Sequence, residues 1–333
     1  MSLGLTRFKI LRHEGDYISL MALDPELLPY LGGPATADMD NIAASRSLAA
    51  SLNADAMSSR SPLPTGVSYR DTSVASATGV EVPLRVYSRN DLPRPCGALL
   101  FIHGGAFVFG DLEIEHDRCL YYAQMVNAVI VSVDYRLAPE FAYPAAHEDV
   151  WTALQWLIAH AAVLDVDPRR ISVGGASAGG SLAAGIALRC RDEDGPSLAA
   201  QLLMYPVLDD RGATRSMELF HDYDPWDGNR SRKMWPLYLG HDGDAPVYAA
   251  PAREENLRGL PPTFVMSCEE DPLRDEDLSF ALRLIDAGVS VELHHFPNTY
   301  HAFDVIAPDA GVARRALNEQ VWFLQRVLGT PSV

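Results

Sequence analysis

Cysteine is scarce in this chain, and no long apolar run crosses it. Cys96, Cys119, Cys190 and Cys268 are scattered over 333 residues with no Cys-x-x-Cys spacing. That distribution argues against a disulfide frame or a zinc site and reads as reduced, packed thiols. No stretch approaches the roughly 18 apolar residues of a membrane helix. The opening MSLGLTRFKILRHEGDY has basic residues but no apolar core of signal-peptide length. A soluble cytoplasmic protein is therefore expected. Positive charge is also in deficit: 27 Lys and Arg stand against 44 Asp and Glu, a net charge of −17. Such a chain repels phosphate backbones and anionic bilayers, so neither nucleic acid nor membrane is expected as a partner. Internal repeats and low-complexity tracts are missing too.

What is present is an ordinary apolar content, 48%, enough for a sizeable core, and a change of rhythm along the chain. Residues 1–65 are rich in Ala, Ser, Leu and Asp, with a helix expected around 38–60. From residue 67, V-S-Y-R-D-T-S-V and V-E-V-P-L-R-V-Y alternate apolar with polar, as half-exposed antiparallel strands do. Then come short continuous apolar runs: A-L-L-F-I (98–102), A-V-I-V-S-V (128–133), I-S-V-G (171–174), L-L-M-Y (202–205) and T-F-V-M-S (263–267). Strands buried on both faces read this way, which implies a parallel sheet between helices. Helical patterns separate them. In 147–161, Val150, Ala153, Leu154, Leu157, Ile158 and Ala161 share one face, and 276–287 and 311–328 behave alike. The alternation specifies an α/β fold. Residues 208–258 break the rhythm with aromatics, Pro and charge, and an insertion of that length between sheet strands is usually functional. Together with 1–65 it is the expected cap.

Two glycine-rich motifs carry chemistry. Gly175-Ala176-Ser177-Ala178-Gly179 fits G-x-S-x-G, between the run I-S-V-G and the helical L-A-A-G-I-A-L. A nucleophilic serine on a strained strand-to-helix turn needs small flanking residues, which leave its hydroxyl exposed near a helix N-terminus. A mere small-residue crossing of strand and helix competes with that reading, and partners must decide. His103-Gly104-Gly105-Ala106-Phe107 follows A-L-L-F-I. Acyl transfer needs fixed N–H donors for an oxyanion, and a glycine pair after a central strand frees them; alone, it is an ordinary Gly-Gly turn.

A serine nucleophile also needs an acid and a base, in the chain order Ser, acid, His. His221 and His241 lie in the irregular insertion, and His294 and His295 lie in the strand V-E-L-H-H-F. His301, in the loop after that strand, sits where open α/β sheets bind ligands. The acid belongs after T-F-V-M-S, where C-E-E-D-P-L-R-D offers Glu269, Glu270, Asp271 and Asp275. Asp271 is the choice and Glu270 the runner-up.

The set H-G-G-A-F, D-Y-R-L-A-P-E-F-A-Y-P-A-A-H-E-D (134–149), G-A-S-A-G-G, D-P-L-R-D (271–275) and Y-H-A-F (300–303) resembles the hormone-sensitive-lipase-like (family IV) bacterial esterases, which are α/β-hydrolases, in register from about 80 to 325. The resemblance implies a triad of Ser177, Asp271 and His301, with oxyanion donors from Gly104, Gly105 and Ala178. It implies an α/β-hydrolase catalytic domain over 66–333, a mostly parallel eight-stranded sheet and an N-terminal helical cap. It also implies no metal or organic cofactor, and often a homodimer formed through the last strand. Asp134 and Glu140 take no chemical role in that reading. Three residues depart from the family's habit: Ala106 replaces the third glycine after His103, Ala176 precedes the serine, and Ala302 follows the histidine. The oxyanion hole is expected to survive Ala106 if the local φ is negative.

The function expected is hydrolysis of small-molecule carboxylic esters with short to medium acyl chains. Phe107, Phe109, Phe220, Trp226 and Trp235 are candidates for the pocket wall. An amidase or peptidase on the same fold is the nearer alternative. A ligand-binding relative without catalysis is the more distant one, since all three triad positions are filled.

Overall fold

The computed structural model describes residues 23–32, 37–59 and 62–329. Much of the expected 1–65 segment, including residues 1–22, therefore lies outside the described residues. Eight strands form one sheet: β1 (Val67–Ala75), β2 (Glu81–Arg89), β3 (Cys96–Ile102), β4 (Ala128–Val133), β5 (Val166–Ala176), β6 (Gln201–Met204), β7 (Thr263–Glu270) and β8 (Val291–Tyr300). Their spatial order is β1-β2-β4-β3-β5-β6-β7-β8. β1 pairs with β2, and β2 with β4, antiparallel; every later neighbour is parallel. The alternating segments thus became the half-exposed antiparallel flank, and the continuous apolar runs became the buried parallel centre.

The β3 strand shows why continuous runs belong there. All of its residues are buried, but they divide by parity between two cores. Leu99 and Phe101 join one cluster with α2 (His116–Met125) and α9 (Gly311–Leu328). Ala98, Leu100 and Ile102 join the other, with α3 (Ala145–Ala159), α4 (Ala178–Asp192) and α7 (Arg274–Asp286). Each face of the strand is a core face, so no polar residue has a place to alternate.

Strand order also locates the crevice. From β3 the chain turns back to β4 on one side, then crosses to β5 on the other. The loops leaving β3 and β5 diverge, and that switch point is where an open α/β sheet binds ligands. The loop His103–Phe107 and the turn at Ser177 both emerge there.

The remaining helices overlie this end. α1 (Ile42–Ser59) begins where the Asn41 side-chain oxygen accepts from the Ala44 amide at 3.4 Å, the short polar residue favoured at a helix start. Its apolar residues Leu48, Leu52 and Met57 are exposed, so apolar burial alone does not hold it. Arg46 supplies the attachment. Its guanidinium donates to the Val108 carbonyl at 2.8 Å, the Ala138 carbonyl at 2.7 Å and the Glu140 carboxylate at 2.8 and 3.0 Å. Glu140, held below its usual range by those hydrogen bonds, thus acts as an anchor for the helix.

Residues 208–258 contain α5 (Arg215–Leu219) and α6 (Gly228–Leu239) and no strand. Thr214 and Asp227 cap the two helices through side-chain oxygens at 3.2 and 2.7 Å from main-chain amides. The Ser216 hydroxyl donates to the Pro272 carbonyl at 2.8 Å, and the Ser216 amide donates to Asp275 at 2.8 Å. Those bonds pin the insertion to the loop after β7. A short helix, α8 (Phe303–Ile306), follows β8 and precedes α9.

Asp134, just past β4, is pushed up to about 6, chiefly by burial and then by the nearby Asp111 charge. In the unfolded chain it loses its proton near pH 4. Between pH 4 and 6 the native state therefore binds more protons, and stability falls as pH rises through that window.

Two predictions follow from these placements. Arg46→Ala should release α1: limited proteolysis within residues 42–59 accelerates several-fold, while the melting temperature of the remainder moves by less than about 3 °C. An unchanged cleavage rate would refute the anchoring role. Asp134→Asn should stabilise the protein by about 1 kcal/mol at pH 7.5 and leave it unaltered at pH 4, read from melting temperatures at the two pH values.

Candidate active site

Close backbone approach builds the turn that carries Ser177. β5 ends at Ala176 and α4 begins at Ala178, leaving Ser177 between them at φ 54° and ψ −118°, outside the common regions for an L-residue. A methyl group on Gly179 would run into the carbonyl oxygens of Ile102 and His103, and one on Gly175 into the backbone of Gly179. Only glycine allows helix, serine turn and β3 to meet at that distance. The hydroxyl thereby emerges at the start of α4, whose first amides have no partner within the helix.

His301 stands in the loop after β8, with Nε2 at 3.0 Å from Ser177 Oγ and Nδ1 at 2.7 Å from Asp271 Oδ2. Asp271 follows β7, and its other oxygen accepts from the Leu273 amide at 2.9 Å. The Asp271 carboxylate is sealed from solvent, and Ser177 and His301 are buried but reach the cavity above them. The structure thus brings the three residues into one hydrogen-bonded line. Nδ1 faces a carboxylate and donates, so Nε2 presents its lone pair to the hydroxyl. Glu270, the runner-up, points elsewhere: it accepts from the Tyr223 hydroxyl and, chiefly through burial, titrates above the usual carboxylate range. Of the other histidines, His295 meets Ser267 at 2.9 Å and His294 meets Glu292 at 3.0 Å, while His221 is exposed on the insertion.

The loop after β3 lies against the serine turn. A methyl on Gly104 would stand 3.0 Å from the Ala176 carbonyl and 3.5 Å from Ser177 Cβ. Among the described residues, the amides of Gly104 and Gly105 donate to no backbone acceptor. His103 beneath them is fully buried, and burial lowers its pKa to about 4, so its ring is neutral. Its Nδ1 meets the Gly104 carbonyl at 2.7 Å, and its ring stacks on Tyr135 at 4.2 Å. The loop is therefore fixed from below. Ala106, however, takes φ 54°. The condition set for it, a negative φ, is not met: this alanine occupies a left-handed position that glycine fills with less strain. Its own N–H is retained. Ala302 repeats the pattern at φ 60°.

A cavity of about 430 Å³ opens above Ser177 and His301. Phe109 and Trp226 line it, as expected for wall residues. Phe107, Phe220 and Trp235 do not. Phe107 stacks on Tyr238 at 3.7 Å and meets Trp235 at 6.0 Å, within the core, while Phe220 packs on Tyr223 and under Arg274. The sequence offered large aromatics, but the larger share of the wall is small and aliphatic: Ala49 and Ala50 of α1, then Ile114, Leu137, Val305 and Ile306. An alanine-rich helix carries no signal that distinguishes a pocket wall from filler. Asp111 and the buried Glu115 add carboxylates to the lining. No group of His, Cys, Asp and Glu suited to a metal ion occurs among the described residues.

Known proteins share this fold. Residues 99–305 match the α/β hydrolase fold family. Esterase LipI of Mycobacterium tuberculosis is 39% identical over 234 residues, covering 69% of this chain and 72% of that protein. Carboxylesterase NlhH of the same species is 37% identical over 260 residues, covering 74% and 79%. Among solved structures, a bacterial heroin esterase superposes with a TM-score of 0.87 at 40% identity, covering 93% of this chain and 99% of the other. Esterase LipW from Mycobacterium marinum gives 0.86 at 37% identity, covering 92% and 96%. With the strand order, the serine turn and the match over 99–305 in agreement, this chain belongs to the hormone-sensitive-lipase-like (family IV) branch of the α/β-hydrolases.

Proposed function

We propose that this protein is a carboxylesterase that cleaves small-molecule esters with short to medium acyl chains through Ser177, His301 and Asp271. One observation carries the reading: His301 lies between the other two at 3.0 and 2.7 Å on the floor of a cavity of about 430 Å³. That volume lies within the range of small-ligand sites. Its aliphatic lining suits an acyl chain, and α1 with the 208–258 insertion supplies the cap that bounds it. The relatives named as esterases support the same class of reaction.

In this mechanism His301 Nε2 takes the Ser177 hydroxyl proton as Oγ attacks the ester carbonyl. Asp271 holds the Nδ1–H tautomer and stabilises the imidazolium. The amides of Gly104, Gly105 and Ala178 receive the oxyanion, a contribution on the order of 3 kcal/mol per donor in sites of this kind. His301 then passes its proton to the leaving alcohol oxygen. A water, deprotonated by the same nitrogen, attacks the acyl-enzyme carbonyl, and His301 returns that proton to Ser177 Oγ as the acid leaves. No step requires a metal or an organic cofactor.

The four cysteines are buried and unpaired, which accords with a reducing, cytoplasmic location. β8 is the last strand of the sheet, and among the described residues no further strand pairs with its outer edge. A homodimer closing that edge is part of this reading, and light scattering on the purified chain would decide it against a monomer.

Replacing Ser177 by Ala should abolish turnover of p-nitrophenyl acetate and butyrate, by about 10⁴-fold or more, with an unchanged far-ultraviolet circular dichroism spectrum. Wild-type rates should peak between C2 and C8 and fall by C12. A wild-type protein with neither burst nor turnover on any ester of the series would leave only the ligand-binding reading. Equal rates on an anilide and its matched ester would favour the amidase.

A further inference from the structure

Beneath the site lies a buried polar network that the mechanism does not use. Tyr205 follows β6 and is fully buried, with its backbone at φ 36° and its amide donating to the Met266 carbonyl at 2.6 Å. Its ring meets the His301 imidazole edge to face, centroids 4.9 Å apart at 65°. Its hydroxyl donates to Asp304 Oδ1 at 2.8 Å. Asp304 lies three residues beyond His301 in α8. One side chain therefore touches the catalytic-loop segment at two points, the imidazole itself and the carboxylate that follows it.

Asp304 is held in turn. Its second oxygen accepts from Arg118 Nη1 at 2.9 Å and from Gln320 Nε2 at 3.3 Å. Arg118 also donates to Gln320 Oε1 at 2.9 Å and, through Nε, to Glu115 at 2.7 Å. The Tyr122 hydroxyl completes the set on Gln320 Oε1 at 2.5 Å. Arg118 and Asp304 are both sealed from solvent, with side-chain exposures of 6% and 1%. A buried charge cluster is expensive to assemble unless its groups are fully paired, and here every partner of Asp304 comes from a different element: the loop after β6, α2 and α9. The carboxylate is a fixed point to which the loop carrying His301 is tied.

His301 needs such a tie. Its bond to Asp271 fixes one nitrogen, but a ring held at one nitrogen can still tilt, and Nε2 must serve the serine, the leaving oxygen and water in succession. A tilt of about 1 Å at the reacting nitrogen is enough to lower a rate by orders of magnitude. We propose that Tyr205, tethered by Asp304 and through it by Arg118, is a positioning residue that holds the His301 imidazole upright between Ser177 and the substrate.

This inference rests on the hydrolase reading, so wild-type turnover of p-nitrophenyl butyrate is the reference. Tyr205→Phe keeps the ring and the cavity wall while cutting the tether. It should lower kcat about tenfold, per serine titrated with an organophosphate, with KM and the acyl-length profile unchanged. Asp304→Asn should act in the same direction, and the double variant should fall within twofold of the weaker single variant, because both changes break one chain of contacts. A Tyr205→Phe protein with wild-type kcat per titrated serine, whatever its melting temperature, would overturn the proposal. So would multiplicative losses in the double variant, or a change confined to KM. Should Asp304→Asn fail to fold around the unpaired Arg118, Tyr205→Phe decides alone. Inactivity of the wild type on every ester would instead sink the hydrolase reading.

Discussion

The meeting of α4 with the ends of β3 and β5 is the contact on which the rest of the site depends. Gly175 and Gly179 bring main chain against main chain there, with the Ile102 and His103 carbonyls where a side chain would otherwise stand. Because the helix starts that close, Ser177 has only a strained conformation open to it, and that conformation points its hydroxyl out of the sheet. The same closeness puts the Gly104 backbone beside the serine. A looser crossing would separate Ser177 from the Gly104 loop even with every named residue retained. The small residues of the stretch therefore do structural and chemical work by one means.

Strain is not spread evenly over this chain. The described non-glycine residues at positive φ are Ala106, Phe107, Asp165, Ser177, Asp194, Tyr205, Asn298 and Ala302. Three of them are Asp or Asn, residue types that enter the left-handed region readily. All the others belong to the loop after β3, the serine turn, the residue after β6 and the residue after His301. Each such position costs of order 1 kcal/mol or more and persists only where surrounding packing dictates it. At Ala106 and Ala302, where the family's habit is glycine, this chain accepts a Cβ in the same backbone geometry.

Much of this was legible in the sequence, and the reason lies in parity and periodicity. Residues of β3 divide between two apolar cores, so continuous hydrophobicity betrayed the parallel strands, while β1 and β2, with one face toward water, announced themselves by alternation. Ser177, Asp271 and His301 were legible because strand ends sort candidates: only residues just past a parallel strand can converge at its carboxyl end. Pocket identity was not. Trp235 and Phe107 are large and apolar, but size says nothing about which side of a loop faces a cavity, and both went to the core. Arg46 carried no signal either, since its partners are two carbonyls and a glutamate about 90 residues away or nearer in sequence, joined only by the fold. Tyr205 lay inside an apolar run that its φ and its hydroxyl both leave.

Electrostatics at the site follow a rule of isolation. His103, next to the serine turn, is kept neutral by burial, and Glu270, beside Asp271, is turned away and hydrogen-bonded by Tyr223. The buried acids Glu276 and Asp277, on the helix after Asp271, are pushed well above the usual carboxylate range, by burial first and by the Asp271 charge among the further causes. Burial thus disfavours a competing charge beside Asp271 on that side. Asp304, by contrast, is drawn below its usual range: burial opposes ionisation, but the Arg118 charge and the hydrogen bonds from Arg118, Tyr205 and Gln320 outweigh it. The fold thus turns two buried carboxylates to different ends, Asp271 bonded to the His301 ring and Asp304 to the network beneath the segment that carries it. The His301 imidazole is thereby bonded at Nδ1 while the segment that follows it is tied down from below.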